Sequence, residues 1–413
     1  MTRPRGFHIP PSPSTWGGPG ARASPALAAR QVEIDTDATR RMPWLLDHKK
    51  ERVGPAPFAF LRGSAPLFYE ILAARPDLAA GPAGDGWIVG DMHLENVGAY
   101  RTDADEVVFG LNDFDDSTIG PLRYDVLRYS TSVLLAGRGF EATGAQAIGL
   151  VEHAIGAYLK ARGGGAAQAT PAPVAALVKQ ASDRNNKALL DERAPLDHGK
   201  RRFLRGPRYR DLPADIEARV PALLSAYIAA LGGRAPAKAS TWKVEDAAFR
   251  VAGNGSLGVF RVAVLVRDHD GDERLLELKE CHEPSPSALF QPPPGHWTHP
   301  AERSAGAARA LCAAPPRLLA PVRLDDLSFV GRRLFPQEDK LAIEEMHAGA
   351  KLEELVAFIG HVLGAGHARG VAALGGAALR PWTGAEVAAV IDHAVVLAGM
   401  LEGIYLAWVR RNG

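Results

Sequence analysis

Apolar residues recur at helical spacing through most of this chain and give way to strand-like runs in two places. Residues 21–80 read mainly as helix. Trp87, Ile88 and Val89 form a short apolar run into Gly90-Asp91. Val107, Val108, Phe109 and Leu111 form a second run, into Asn112-Asp113. Two short strands that each end at an acidic residue predict a hairpin-like pair with a site at its ends. Helical spacing returns at 124–136, 147–159, 174–190 and 216–231, interrupted by glycines at 163–165 and prolines at 171 and 173. From about residue 241 the pattern becomes β-rich. Strands are predicted at 249–251, 259–266, 274–281, 318–322 and 328–334, with Asp270-Gly271 as a turn and an alanine-rich helix at 301–314. Helix resumes at 351–367 and 384–411. The pattern thus predicts an α+β protein: a helical part over 41–240, a β-rich part over 241–345 and a second helical part over 346–413. The start of the chain, 1–40, carries Pro10, Pro11, Pro13, Gly17, Gly18 and Gly20 and is expected to be poorly ordered.

Composition narrows the classes. With 413 residues, 46% hydrophobic and 23% charged, the chain can bury a sizeable core. A formal charge of +1 gives no support for bulk attraction to nucleic acid or to an anionic membrane. The basic run 200–210 therefore reads as a solvated loop. Cys281 and Cys312 make neither a disulfide framework nor a metal-ligand spacing, which fits a reducing cytoplasm. The most membrane-like run, 394–409, is short and holds Glu402, so a buried terminal helix is expected.

The chemistry concentrates at 89–125, where Asp91, His93, Asn96, Asp113 and Asp115 lie close together. Burying so many polar groups is costly unless each has a partner, and a metal with an anionic ligand would supply partners. Asp91 could take a hydroxyl proton. Asn96 and Asp113 offer hard oxygens suited to magnesium, with Asp115 as the rival to Asp113. Turn capping explains such residues singly but not as a set. Downstream, Gly253, Gly255 and Gly258 match G-x-G-x-x-G, with Asn254 and Ser256 between them. A dinucleotide fold needs a helix next, whereas a strand follows here. A strand–loop–strand hairpin would instead fold backbone N–H groups over phosphates; a plain tight turn is the alternative. Lys279, on the next strand, could hold phosphates as a point charge, or be a solvated edge residue. Its carboxylate partner could be Glu302 or a nearer one such as Glu280. Arg62 suggests a buried ion pair. His361 and His367 share a helix at a spacing poor for zinc and suggest packing.

Gly90-Asp91-Met92-His93-Leu94-Glu95-Asn96 resembles the H-G-D-x-H-x-x-N catalytic loop of aminoglycoside and choline phosphotransferases in the protein-kinase-like superfamily. Asn112-Asp113-Phe114-Asp115-Asp116 resembles their metal-binding I-D-F segment. Gly120-Pro121-Leu122-Arg123-Tyr124-Asp125 resembles the following G-D-P-x-Y-D, whose aspartate braces the catalytic loop. F-A-F-L-R-G (58–63), G-D-M-H-L-E-N-V-G, L-N-D-F-D-D, G-N-G-S-L-G and L-K-E together resemble the bacterial family called domain of unknown function 2252, from about residue 40 onward. Val89 stands where the phosphotransferases usually have histidine. The order also differs, since the glycine loop and lysine follow the catalytic loop. A circular permutation accounts for this, and 358–367 resembles the helix that leads into the catalytic loop in those enzymes. The resemblance implies a permuted two-lobe kinase-like fold whose mainly helical lobe is split around a small antiparallel lobe. It also implies an ATP- and Mg2+-dependent phosphotransferase acting on a hydroxyl-bearing acceptor, small molecule or protein; charge and apolar pattern, as above, speak against a membrane or nucleic-acid partner. A nucleotide-binding pseudokinase, a nucleotidyl transferase and a metal-dependent hydrolase are the alternatives. The permutation requires 253–258 and Lys279 to face Asp91, Asn96 and Asp113 across one cleft.

Overall fold

The computed structural model describes residues 23–253, 257–334, 340–343 and 346–412. Helices α1 (Ser24–Ala38), α2 (Leu45–Val53), α3 (Pro57–Gly63), α4 (Ala65–Ala74) and α5 (Pro76–Ala79) open the chain. Four short strands follow: β1 (Asp85–Ile88), β2 (Val97–Arg101), β3 (Val107–Leu111) and β4 (Thr118–Pro121). Next come α6 (Arg123–Ala136), α7 (Gly144–Arg162), α8 (Ala172–Ser182) and α9 (Asn186–Arg193), then the two-residue strands β5 (Leu196–Asp197), β6 (Lys200–Arg201) and β7 (Tyr209–Arg210). Helices α10 (Ala214–Glu217) and α11 (Val220–Leu231) precede β8 (Lys243–Arg250), β9 (Arg261–Arg267) and β10 (Glu273–Glu280). The chain closes with α12 (Pro300–Leu311), β11 (Ala320–Leu324), β12 (Leu327–Leu334), α13 (Ala350–Ala372) and α14 (Gly384–Asn412). The class is α+β, and the paired strands are antiparallel.

The two strands expected to pair with each other do not. β1 pairs with β4 (Trp87↔Ile119) and β3 with β2 (Tyr100↔Val108). The partners were hidden because β2 and β4 hold Gly98, Gly120 and Pro121, which lack the usual strand signature. The expected helix 174–190 is two helices, because Asn185 caps α9 by accepting the Ala188 N–H at 2.8 Å. Of the segment expected to be poorly ordered, residues 1–22 lie outside those described and Ser24–Ala38 is helical.

The large sheet runs β11-β12-β10-β9-β8-β7. Strand side chains alternate between faces. On one face Val262, Val264, Leu276, Leu278 and Phe329 bury against Leu223, Leu224 and Tyr227 of α11. On the other, Ala263, Leu265, Leu275 and Leu334 pack with Leu190, Phe203 and Tyr209. That second face turns charged toward its end, where Lys279 meets Asp113 and Asp115. In the helical part, α7 and α13 run together: Gly360 and Gly364 approach the carbonyl oxygens of Ala154 and Tyr158 so closely that an added Cβ would lie 2.3 and 2.2 Å from them. Helices α13 and α14 are long and apolar enough to cross a membrane, with 56% and 39% of their most apolar stretches buried inside the protein. Cys281 and Cys312 are buried and free.

Candidate active site

The segment from Val89 to Asn96 turns out of β1 at Gly90, whose φ is +80° and where an added Cβ would lie 1.9 Å from the Asp116 carbonyl oxygen. Only glycine fits there. The Val89 and Gly90 N–H groups donate to the two carboxylate oxygens of Asp125, at 2.6 and 2.8 Å. Tyr69 donates its hydroxyl to the Gly90 carbonyl at 2.6 Å. Asp125 in turn accepts from His367 Nε2 at 2.9 Å, and His367 Nδ1 lies 3.1 Å from the Tyr158 hydroxyl. A carboxylate acceptor at Nε2 leaves Nδ1 to accept from Tyr158. Asp125 and His367 have no exposed surface. His367, expected only to pack, therefore reaches from α13 to fix the start of the loop.

Asp91 follows. Arg128, fully buried on α6, donates from Nε to Asp91 Oδ1 at 2.6 Å and from Nη2 to the Leu61 carbonyl at 2.8 Å. Burial pushes the Asp91 carboxyl up to about 7, against the opposing pull of the Arg128 cation. Sequence reasoning missed Arg128. Its signal is an arginine inside a helical stretch that is buried throughout from Tyr124 to Val133. Asn96 staples the two loops together: its Oδ1 accepts the Asp113 N–H at 2.9 Å, and its Nδ2 donates to the Asp91 and Asp113 carbonyls at 3.0 and 3.3 Å. The amide oxygen expected on a metal is thus engaged by backbone. His93 is buried beside the Phe58 ring and accepts the Glu95 N–H through Nδ1 at 3.1 Å. Burial, then Arg62 and Arg128, hold the imidazole neutral, well below its ordinary range. Arg62 pairs with Glu95 at 2.7 Å.

Lys279 takes neither of its expected partners. Its ammonium donates to Asp113 Oδ1 at 3.0 Å and Oδ2 at 3.2 Å, and it also pairs with Asp115. Glu280 instead binds Arg41 (3.0 Å) and the Phe260 N–H (2.9 Å), and Glu302 accepts the Thr298 N–H, just ahead of its own helix, at 2.7 Å. Enclosure works against the Asp113 charge, but Lys279 and Arg261 outweigh it and hold the carboxyl below the usual range. Asp115 goes the other way. Enclosure, and then the Asp113 charge, push it up to about 6. Arg303, also missed, donates from α12 to the carbonyls of Asp115 (2.7 Å), His282 (2.8 Å) and Ser117, and so ties this turn to the end of β10.

These groups share one cavity of about 530 Å³, lined by Asp91, Asn96, Asp113, Gly253 and Lys279 among others. Gly253 (φ +83°) accepts from Arg52 of α2 through its carbonyl. Gly258 (φ +113°) is off the cavity, against the Ala38 carbonyl at the end of α1. Asn254, Gly255 and Ser256 lie outside the described residues. Magnesium combines one or two carboxylates with phosphate and water oxygens. Asp113 and Asp115 fit that need, since together they already hold a cation in the Lys279 ammonium. Among the described residues, no group of three or more His, Cys, Asp or Glu side chains is arranged to hold a metal without such added ligands.

Residues 41–411 match the model of the family described as "Uncharacterized protein conserved in bacteria (DUF2252)", and the chain belongs to that family. No curated protein and no solved structure matches it.

Proposed function

We propose that this member of the DUF2252 family is an ATP- and Mg2+-dependent phosphotransferase acting on a hydroxyl-bearing acceptor. Its fold would be a protein-kinase-like pair of lobes in circularly permuted order. One observation carries the reading: Lys279 of β10 meets Asp113, 166 residues earlier in the chain, and Asp115 across a cavity that Asp91 and Gly253 also line. Nothing in the local structure of either segment requires that meeting, whereas phosphoryl transfer requires those groups together.

In this reading Asp113 and Asp115 would hold the metal, which would supply charge neutralisation for the phosphates. Lys279 leaves the carboxylates to bind a phosphate oxygen. Asp91, steadied by Arg128, orients the acceptor hydroxyl and receives its proton as the oxygen bonds to the terminal phosphorus and the bond to the leaving ADP breaks. Catalysis of this kind is largely positioning and charge neutralisation. Asn96 serves by keeping the Asp91 and Asp113 segments in register. The test is ATP consumption with a panel of hydroxyl acceptors. Asp91→Asn is expected to retain MgATP binding while turnover drops about 10²-fold or more. Unchanged turnover would refute the role of Asp91. A second reading, a nucleotide-binding module without transfer, draws support from the engaged Asn96 amide oxygen. It would prevail if MgATP bound but no acceptor provoked consumption.

A further inference from the structure

The charged end of the sheet carries more cations than one phosphate contact needs. In the antiparallel register Lys279 stands opposite Arg261. Arg250 follows Phe249, whose partner is Val262, and so stands beside Arg261 on the next strand. Three cations therefore share one cross-strand row on three adjacent strands. In the neighbouring row Glu277 stands opposite Arg332. Arg250, Arg261, Lys279 and Arg332 all line the cavity.

Like charges directly opposite each other destabilise an antiparallel pair. Glu277 offsets part of this: it is 1% exposed, pairs with Arg250, and lies 3.2 Å from Arg332 and 3.8 Å from Arg261. Burial acts against its charge, and these arginines keep it ionised below the usual range. Guanidinium forks match phosphate oxygens two at a time. The row from Lys279 to Arg250 spans two strand spacings, roughly 10 Å, a length that a triphosphate or longer chain covers. An apolar slot for a nucleobase is not what this row offers.

We propose that the face of β8, β9, β10 and β12 inside the cavity is a binding surface for a chain of condensed phosphates, laid along Lys279, Arg261 and Arg250 with Arg332 at its side. The inference rests on the phosphotransfer reading and deepens it: the donor is recognised through its polyphosphate. The same chemistry comes from a nucleoside triphosphate or from an inorganic polyphosphate, and the binding assay separates the two.

The experiment is calorimetric titration of the full chain with Mg2+ and, in turn, ATP, inorganic tripolyphosphate, AMP and adenosine. Tripolyphosphate is expected within about tenfold of ATP, with AMP and adenosine at least about 100-fold weaker than either. An ATP affinity well above that of tripolyphosphate, inside the tenfold window, identifies the nucleotide as the source; the reverse identifies the inorganic chain. Arg250→Gln and Arg332→Gln should each weaken tripolyphosphate about tenfold. Arg250→Lys, which keeps the charge and loses the fork, should weaken it less while melting like the parent. Binding of AMP or adenosine as tight as that of ATP would overturn the inference. So would unchanged tripolyphosphate affinity in folded Arg250 variants. If ATP is still consumed and Asp113→Asn abolishes consumption while the arginine variants are silent, this inference falls and the phosphotransferase reading stands. If no phosphate compound binds, both fall.

Discussion

Burial and Arg128 act on Asp91 in opposite directions, and burial wins, so the carboxyl titrates near neutrality. The deprotonated form is the one that can accept a proton, so kcat/KM for acceptor-dependent ATP consumption should fall about tenfold per pH unit below about pH 7. Removing the cation in Arg128→Gln should move that limb to higher pH, because the carboxylate loses its largest stabilising charge. A limb that stays put belongs to another group, with Asp115 the next candidate at about 6. Lys279 permits a second measurement at this scale. Its ammonium occupies the space between Asp113 and Asp115 that a metal would take. Lys279→Met should therefore tighten Mg2+ or Mn2+ binding in the absence of nucleotide, as read by calorimetry, while abolishing turnover; unchanged metal affinity would remove Asp113 and Asp115 as ligands. The acidic members of this site were legible in the sequence because five such groups within one short stretch are hard to explain singly. The partner of Lys279 was not. Glu302 and Glu280 are near it in sequence, whereas Asp113 and Asp115 reach it only through the tertiary fold.

At the scale of elements, the loop around Asp91 is held from outside itself. Asp125 on α6 takes two of its backbone N–H groups, and His367 on α13 orients Asp125. Asp125→Ala leaves those donors and the imidazole buried without their acceptor, which should cost about 3–5 kcal/mol in urea unfolding. A loss below about 1 kcal/mol would mean that the loop is held by Tyr69 and Asn96 alone. Periodicity located most of these helices and the later strands, because long apolar repeats leave few alternatives. It failed at β2 and β4, where glycine and proline replace the β-branched signature. It failed again at 183–185, where a capping asparagine divides one periodic run into α8 and α9. His367 on α13 looked like a core residue for a sound reason: it is one, being fully buried while it hydrogen-bonds.

Across the whole molecule, the helical part is assembled from both ends of the chain around α7 and α13. Their closest crossing depends on Gly360 and Gly364, which meet the α7 backbone with no room for a side chain. Gly364→Leu should lower stability by about 3 kcal/mol or more and shift thermal unfolding down accordingly; tolerance of leucine there would mean that the two helices are free to part. The α+β class could be read from the pattern, and the meeting of 89–125 with Lys279 could be expected only by resemblance. Which cations line the sheet face could be foreseen from neither, since cross-strand register decides it.

The bond between His367 and Asp125 has a consequence for how the protein is made. The two residues are 242 positions apart. A ribosome adding roughly 5–20 residues per second leaves the loop around Asp91 waiting about 12–48 s for the residue that braces Asp125. During synthesis the acidic loop and the lysine strand emerge with that brace missing. The bond from Asp125 to His367 can therefore form only after α13 has left the ribosome and docked.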